Sequence, residues 1–514
     1  MPGTTVVCGL DRLGLRVART LLALGEHVTV VADVPQPAMV REAARAGARV
    51  ISGSTIEIAQ LADVDLASAR CVVLTESADL VNLHAALAAR EVNPDIRIVI
   101  QMFNPELGER ATRLLPNSRV LSASREAAPY FAADALGLGT MQTRHVWGRH
   151  LLAHPEAGGE RFLDPVEAPR LPRHRSRSRL LAEFRQAARA FFDVRLGITV
   201  GGIGLLILAS AVIFHAGLRL GWVDALYFTM TTASTTGYGD INLGAAPPWL
   251  KLYGSAFMIA SAISLALLYA LAADAVIGAR ILEALGLPRG RMRGHVVVLG
   301  LGNTGFRVVE HLLDAGVTVA AAEMSVRNRF VGLARRRGVP VLVTDGRHRD
   351  ALHSLSVEGA RAVVAATDDD LANLEASLLA RELNPDAVIV ARLFDPDLAE
   401  LAQHQLGLDA CHSVSALATP TFVAAALGAG VLSIVERGGR LLLLGEVWVQ
   451  PGSRADGIAT AALDESDDLQ VLAVRHSGAE RWRPAHPDRL EAGHEVLLAA
   501  TRERWERFRG LATG

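Results

Sequence analysis

Three patterns of apolar positions alternate along the chain. Towards both ends, short β-branched runs such as 28–32, 71–74 and 96–100 are separated by Ala- and Leu-rich stretches with helical spacing, such as 80–90. Strand–helix alternation predicts a doubly wound parallel sheet with helices on both faces. Residues 121–137 and 412–428, at the end of each such region, predict amphipathic Ala-rich helices that pack across a neighbouring copy. In the middle of the chain, 196–218 runs 23 residues without a formal charge, and 252–273 runs 22. A hydrocarbon core of about 30 Å needs roughly 20 apolar residues as helix, so both stretches are long enough to span. Between them 225–239 is uncharged for only 15 residues, which suits a re-entrant helix and loop. Residues 441–449 and 469–474 are β-rich, and the turn Leu490-Glu491-Ala492-Gly493-His494 follows.

The two strand–helix regions are one unit written twice. Val6-Val7-Cys8-Gly9-Leu10 recurs as Val297-Val298-Leu299-Gly300-Leu301. Asn82, Asn93-Pro94-Asp95 and Phe103-Asn104-Pro105 recur as Asn373, Asn384-Pro385-Asp386 and Phe394-Asp395-Pro396, always 291 residues on. One offset held from 5–138 to 296–429 marks a duplicated domain.

Each copy carries a glycine turn after its first strand. In the second copy, Gly300-Leu301-Gly302-Asn303-Thr304-Gly305 stands between a strand and a helix, and Glu323 closes the next strand. This is the dinucleotide fingerprint in its required setting. Gly300 serves the tight turn, Gly302 the approach of a pyrophosphate, and Gly305 close helix–strand packing. The helix start offers N–H groups and positive dipole, while Glu323 accepts from an adenosine ribose and repels a 2′-phosphate. The first copy reads Gly9-Leu10-Asp11-Arg12-Leu13-Gly14, with Asp33 after its second strand. Asp11 crowds and repels a phosphate there. Gly9, Asp11, Gly14 and Asp33 therefore form a second candidate site, whose reading divides between a dinucleotide, a structural role, and a different ligand such as a phosphate-free adenosine or a cation.

Thr235-Thr236-Gly237-Tyr238-Gly239-Asp240 follows the short apolar run. Rings of carbonyl oxygens aimed at one axis can replace a cation's hydration shell, which requires backbone dihedrals alternating in hand. Glycine reaches φ > 0 without steric cost, and glycines flank Tyr238. This stretch resembles the selectivity filter of tetrameric potassium channels, whose pattern is T-V/I/T-G-Y-G-D. The resemblance implies potassium sites formed by the Thr235 hydroxyl and the carbonyls of Thr235, Thr236, Gly237 and Tyr238. It also implies a homotetramer, since one strand cannot close a pore.

Both copies resemble the RCK domain, also called TrkA-N or KTN, which regulates potassium channels and transporters. The likeness rests on the fingerprint, on Thr367-Asp368-Asp369-Asp370 with Asn373, and on Ala380-Arg381-Glu382-Leu383-Asn384-Pro385. Thr75-Glu76-Ser77 and Ala89-Arg90-Glu91-Val92-Asn93-Pro94 hold those places in the first copy. The resemblance implies that Asp345 and Thr367 lie at the nucleotide pocket beside Gly300, Gly302, Asn303, Thr304, Gly305 and Glu323, and that RCK copies meet each other in the assembly. Residues 430–514 resemble the small TrkA-C lobe; the corresponding lobe after the first copy is curtailed.

The expected fold class is thus multidomain: two α/β Rossmann-like RCK domains flanking an all-α two-helix pore module with a re-entrant loop, then a small α+β C-terminal lobe. The domains are 1–140, a curtailed lobe and basic linker 141–195, the pore module 196–275, a linker 276–294, the second RCK domain 295–430 and the lobe 431–514. Within the pore module, 196–218 is the outer helix, 222–240 the pore helix and filter, and 249–275 the inner helix. Eight arginines precede the first span (Arg170 to Arg195) and four follow the second (Arg280 to Arg293), against Arg219 and Lys251 between. The positive-inside rule places both RCK copies and both termini in the cytoplasm of a multi-pass cell-membrane protein. The stretch 180–192 suits an interfacial helix or a solvated basic linker. Asp274 would form a carboxylate ring at the inner mouth of a tetramer or stand as a solvated helix end. Gly254 is too near the outer end to hinge the inner helix at mid-span.

Charge refines this picture little. A net charge of −2 gives no sign of nucleic-acid binding. Cys8, Cys71 and Cys411 match no metal or redox spacing and read as buried thiols. The first residues show no charged region followed by an apolar stretch and a cleavage site, so no signal peptide is expected. Asp464-Glu465-Ser466-Asp467-Asp468 is a carboxylate cluster open to a divalent cation or a solvated turn. The expected function is a potassium-selective channel gated by NAD(H), an adenine nucleotide such as ATP or ADP, or a divalent cation. The alternatives are a non-selective cation channel and a membrane-tethered NAD-dependent oxidoreductase. No proton donor and substrate pocket accompany the fingerprint, so an enzyme is not expected.

Overall fold

The computed structural model describes residues 4–58, 64–137, 142–146, 149–156, 159–162, 194–285, 291–428, 430–437, 439–464, 468–476 and 487–514. They form two units, Met1–Arg173 with Met292–Gly514, and His174–Arg291. The interfacial stretch 180–192 and most of the basic linker lie outside the described residues.

In the first unit, strands β1 (Thr4–Cys8), β2 (His27–Ala32), β3 (Arg49–Ser52), β4 (Cys71–Leu74), β5 (Arg97–Gln101) and β6 (Ser118–Leu121) make a parallel sheet in the order β3-β2-β1-β4-β5-β6. A short three-stranded antiparallel sheet, β7 (Gln142–Val146), β8 (Arg149–Glu156) and β9 (Gly159–Phe162), follows. Strands β10 (Val296–Leu299), β11 (Val319–Glu323), β12 (Val341–Val343), β13 (Ala362–Ala365), β14 (Val388–Arg392) and β15 (Ala410–His412) repeat the first order as β12-β11-β10-β13-β14-β15. The central strands β1, β4, β10 and β13 are apolar on both faces and buried along nearly their whole length, as a sheet covered by helices requires. Both glycine turns stand at the point where strand order reverses, between β1 and β4 and between β10 and β13, where such folds bind ligands.

The two copies trade their last helices. Ala123–Ala135 of the first packs on Asn303–Asp314 of the second, and Val414–Leu427 of the second packs on Arg12–Ala23 of the first. The second of these was expected to be amphipathic. Instead every one of its residues is buried or half-buried, since it lies between its own domain, the other copy and the C-terminal lobe, and a helix so enclosed is apolar all round. Its last carbonyls are orphans, and Arg97 of the first copy donates to that of Leu427 at 2.9 Å. Arg361 of the second copy donates in the same way to Leu136 at 3.0 Å. His412 meets Asp134 across the seam, 2.5 Å apart.

The C-terminal lobe is an antiparallel sheet of β16 (Val431–Arg437), β17 (Arg440–Trp448), β18 (Leu469–His476) and β19 (His494–Ala500), ordered β16-β17-β19-β18, closed by helix Arg502–Thr513 with Trp505 buried. Of the carboxylate cluster, residues 465–467 lie outside the described residues, and Asp468 is paired with Arg440 at 2.8 Å. Arg502 reaches into the first copy and pairs with Glu26 at 2.5 Å, while Arg70 meets the same carboxylate at 2.8 Å. The Glu26 side chain is fully buried. Removing one member of a buried ion cluster leaves uncompensated charge, at a cost of about 3–5 kcal/mol. Arg70 is one-third exposed, so Glu26→Ala is expected to lose about 3 kcal/mol, the low end of that range. Urea denaturation checks this, and Glu26→Gln, which keeps the shape and one acceptor, should lose less.

The second unit contains helix Val194–Leu218, helix Trp222–Ala233 and helix Pro248–Leu285. Among the described residues two helical stretches are long and apolar enough to cross a membrane, Gly197–Leu218 and Pro248–Leu271, with mean hydropathy 2.3 and 1.9. Phe214 is their fully buried anchor, edge-on to Phe228, Tyr253 and Phe257 at 4.9, 5.6 and 5.8 Å. Gly254 lies against Leu243, whose Cδ1 would be 2.4 Å from an added Cβ; it serves close packing rather than bending. The inner helix continues to Leu285, so the first ten residues of the expected linker 276–294 are helical. Asp274 lies on this helix, its side chain outside the described residues.

Candidate functional site

In the second unit, helix Trp222–Ala233 ends at its cap Ser234, directly before the glycine-containing segment Thr235–Asp240. Its negative dipole end stands beside that segment and favours a cation there. The Thr231 carbonyl accepts from both Thr236 and Gly237, at 3.0 and 3.1 Å, and Thr232 accepts from Thr235 at 3.1 Å. The N–H groups of the first half are thereby turned back to the helix. Backbone hand then alternates: φ is +60° at Thr235, +53° at Gly237 and +79° at Gly239. The two glycines adopt the left-handed region freely. Thr235, being β-branched, does so at a cost of about 1–2 kcal/mol. Its strained position was not legible from residue type. Tyr238 is 70% exposed and stacks parallel to Tyr227, whose hydroxyl hydrogen-bonds Asp240. Thus Thr235, Thr236, Gly237, Tyr238, Gly239 and Asp240 form one irregular segment braced by its own helix on one side.

In the first unit, a cleft of about 690 Å³ opens over the second glycine turn and is lined by both copies. Gly300 has φ +89°, and a Cβ there would meet Thr367 Cγ2 at 2.7 Å; one on Gly305 would lie 1.9 Å from the Gly300 carbonyl oxygen. These two glycines are fixed by packing. Gly302 is different, because nothing lies within 4 Å of an added Cβ. It begins helix Asn303–Asp314 without a side-chain cap, leaving the first N–H groups to an anion. Glu323 holds the turn from below, accepting from Leu301 N–H at 2.8 Å and Ser325 N–H at 2.9 Å. Thr304 is buried behind the turn, and Asn303 accepts from Arg329 at 3.1 Å. Asp345 lines the cleft in a fork with Arg347, whose hydrogen bonds pull its carboxyl down to about 2.

The first copy's turn is closed by its own side chain. Asp11 caps helix Arg12–Ala23, with Oδ1 accepting Gly14 N–H at 2.8 Å. The carboxylate takes the N–H groups that the second copy leaves open. Gly9 (φ +99°) and Gly14 repeat the packing roles of Gly300 and Gly305. The Asn82 amide oxygen accepts Glu76 N–H as that of Asn373 accepts Thr367 N–H, so Glu76, not Thr75, stands at the place of Thr367. Asp33 follows β2 by one residue, later than Glu323 sits on β11. Burial, then the neighbouring Asp11 and Asp33, raise the Glu76 carboxyl, and burial raises that of Asp11 although its edge meets solvent. This pocket is acidic and repels phosphate.

Three cleft residues escaped sequence reasoning. Arg12 from the first copy and Arg392 from the second both lie over the Phe394 ring, each 4.4 Å from its centre. Asp370, which accepts Phe394 N–H at 2.9 Å, stands 4.0 Å from Arg12. Burial, aided by Arg12, lowers Arg392 to about 10. Two guanidinium groups converging beside an open helix start suit a phosphate chain. The only sequence signal was Arg12 beside Asp11 in the first copy's glycine turn.

Comparison with known proteins agrees with this division. Residues 5–122 and 296–414 match the TrkA-N domain family, and residues 202–277 match an ion channel family. The chain is 24% identical over 199 residues to probable potassium channel protein 2 of Methanocaldococcus jannaschii, covering 36% of this chain and 56% of that one. It is 23% identical over 207 residues to potassium channel protein 1 of the same organism, covering 40% and 61%. The chain therefore spans less than two thirds of the length of either relative. The solved GsuK channel bound to NAD superposes with a TM-score of 0.50 at 16% identity, over 100% of this chain and 79% of that one. At that identity the likeness is one of fold.

Proposed function

We propose that this membrane protein, with TrkA-N domains at both ends and an ion-channel module between, is one subunit of a homotetrameric potassium channel controlled by a nucleotide. The observation that carries this reading is the strand Thr235–Gly239, alternating in hand directly after a helix end. Four such strands around an axis present rings of carbonyl oxygens, with Tyr238 bracing each strand against its neighbour. The named potassium channel relatives support the ion, and the NAD-bound GsuK structure supports the ligand class.

NAD(H) or an adenine nucleotide would occupy the second copy. Its phosphates would sit over Gly302 and the first N–H groups of helix Asn303–Asp314, with Glu323 at the ribose and Arg12 and Arg392 toward the phosphates. Because Arg12 belongs to the other copy, occupancy would draw the two domains together. A ligand shifts a gate only by binding its open and closed states unequally, so the ligand's differential affinity for the two domain arrangements would be the gating energy. Lipid would surround the outer and inner helices, and both termini and both TrkA-N domains would lie in the cytoplasm.

An oxidoreductase would need a proton donor and a substrate pocket at the nicotinamide. Hydride transfer from NADH and ion flux, measured on the same proteoliposomes, separate the two functions. Flux without turnover is expected; turnover without flux would overturn the channel.

A further inference from the structure

A cluster of metal-ligating side chains lies in the C-terminal lobe, apart from the cleft lined by the two copies. His476 ends β18, the edge strand, and His494 begins β19 directly opposite it in the antiparallel ladder. Their rings are 4.4 Å apart, centre to centre. Glu491 comes from the turn that feeds β19, and one ligating atom from each of the three residues lies within 4.8 Å of the other two. His476 and Glu491 face solvent, whereas His494 is 6% exposed. The turn is held from outside: Asp456 accepts Ala492 N–H at 3.2 Å, and Gly493, at φ +87°, donates to Val449 at 2.9 Å.

We propose that His476, Glu491 and His494 bind a divalent transition-metal ion of the zinc class. Two imidazoles and one carboxylate suit Zn²⁺, Co²⁺ or Ni²⁺, and they do not suit Ca²⁺ or Mg²⁺, which prefer oxygen donors. A fourth position remains for water. Nδ1 of His494 accepts Glu491 N–H at 2.9 Å, so the Glu491 backbone holds the ring beside its own carboxylate, which would join the same ion. The ion would then pin the edge strand β18 to β19 at the open end of the sheet.

The test uses the full chain, purified in detergent without a polyhistidine tag and stripped with a chelator. Titration with Co²⁺ is followed by its visible d–d absorption, and bound Zn²⁺ is counted by elemental analysis. The wild type is expected to take one ion per chain with a low-coordinate Co²⁺ spectrum. His476→Ala and Glu491→Gln, both at exposed positions that should leave folding intact, are expected to bind at least about ten-fold more weakly. No Co²⁺ spectrum from the wild type, or equal binding by both variants, would overturn the site.

Discussion

Replacing Gly239 by alanine is expected to abolish potassium flux in proteoliposomes while leaving membrane insertion unchanged. The reason is conformational. Among the described residues, none beyond its two chain neighbours comes within 4 Å of an added Cβ at Gly239, so bulk within the subunit is not the obstacle. Its φ is +79°, where an L side chain costs about 1–2 kcal/mol. In a ring of four subunits that cost is felt about four times, in a strand where Thr235 already carries the same strain. The relief available is a rotation of the neighbouring peptide, which turns a carbonyl away from the axis. Flux of a radioactive potassium analogue checks this, and wild-type flux from Gly239→Ala would mean the strand does not line the pathway.

Gly302→Val should remove the nucleotide response and leave everything else. The three glycines of the second turn are not equivalent in this respect. Gly300 and Gly305 cannot accept a Cβ without meeting Thr367 or the Gly300 carbonyl, so substitution there damages the fold and says nothing about a ligand. Gly302 has ordinary extended dihedrals (φ −67°, ψ −170°) and open space around its missing Cβ. A valine there replaces an N-cap glycine and is expected to cost about 1 kcal/mol or less of stability. It would occupy the volume that a pyrophosphate needs, and NAD binding by calorimetry should weaken by about 100-fold or more, near 2.7 kcal/mol. Undiminished binding would move the ligand to another place in the cleft.

Much of the architecture could be read directly because it is local or repeated. The constant offset of 291 residues announced two equal domains, and both sheets have the same strand order. The glycine turns and the segment Thr235–Asp240 are contiguous motifs whose residue types follow from their dihedrals. What escaped reading depends on contacts between distant segments. Arg12 and Phe394 belong to different copies and meet only after the terminal helices have exchanged partners. The apolar circumference of Val414–Leu427 has the same cause, since its third face is covered by another domain. Asp11 was legible as an obstacle to phosphate, but its action as a helix cap appears only with Gly14 N–H in place. Strands β16 and β19 were missed because buried apolar runs in a small lobe do not alternate strictly. The inner helix overran its expected end because its sequence past Ala273 remains helix-forming after the apolar run stops.

The central claim is tested most directly by the reversal potential of the purified chain in a planar bilayer with potassium on one side and sodium on the other, recorded before and after addition of NAD to the side facing the TrkA-N domains. The account predicts a reversal potential set by the potassium gradient, and a current whose size changes with NAD in the wild type but not in Gly302→Val. A reversal potential near zero under these conditions would contradict it.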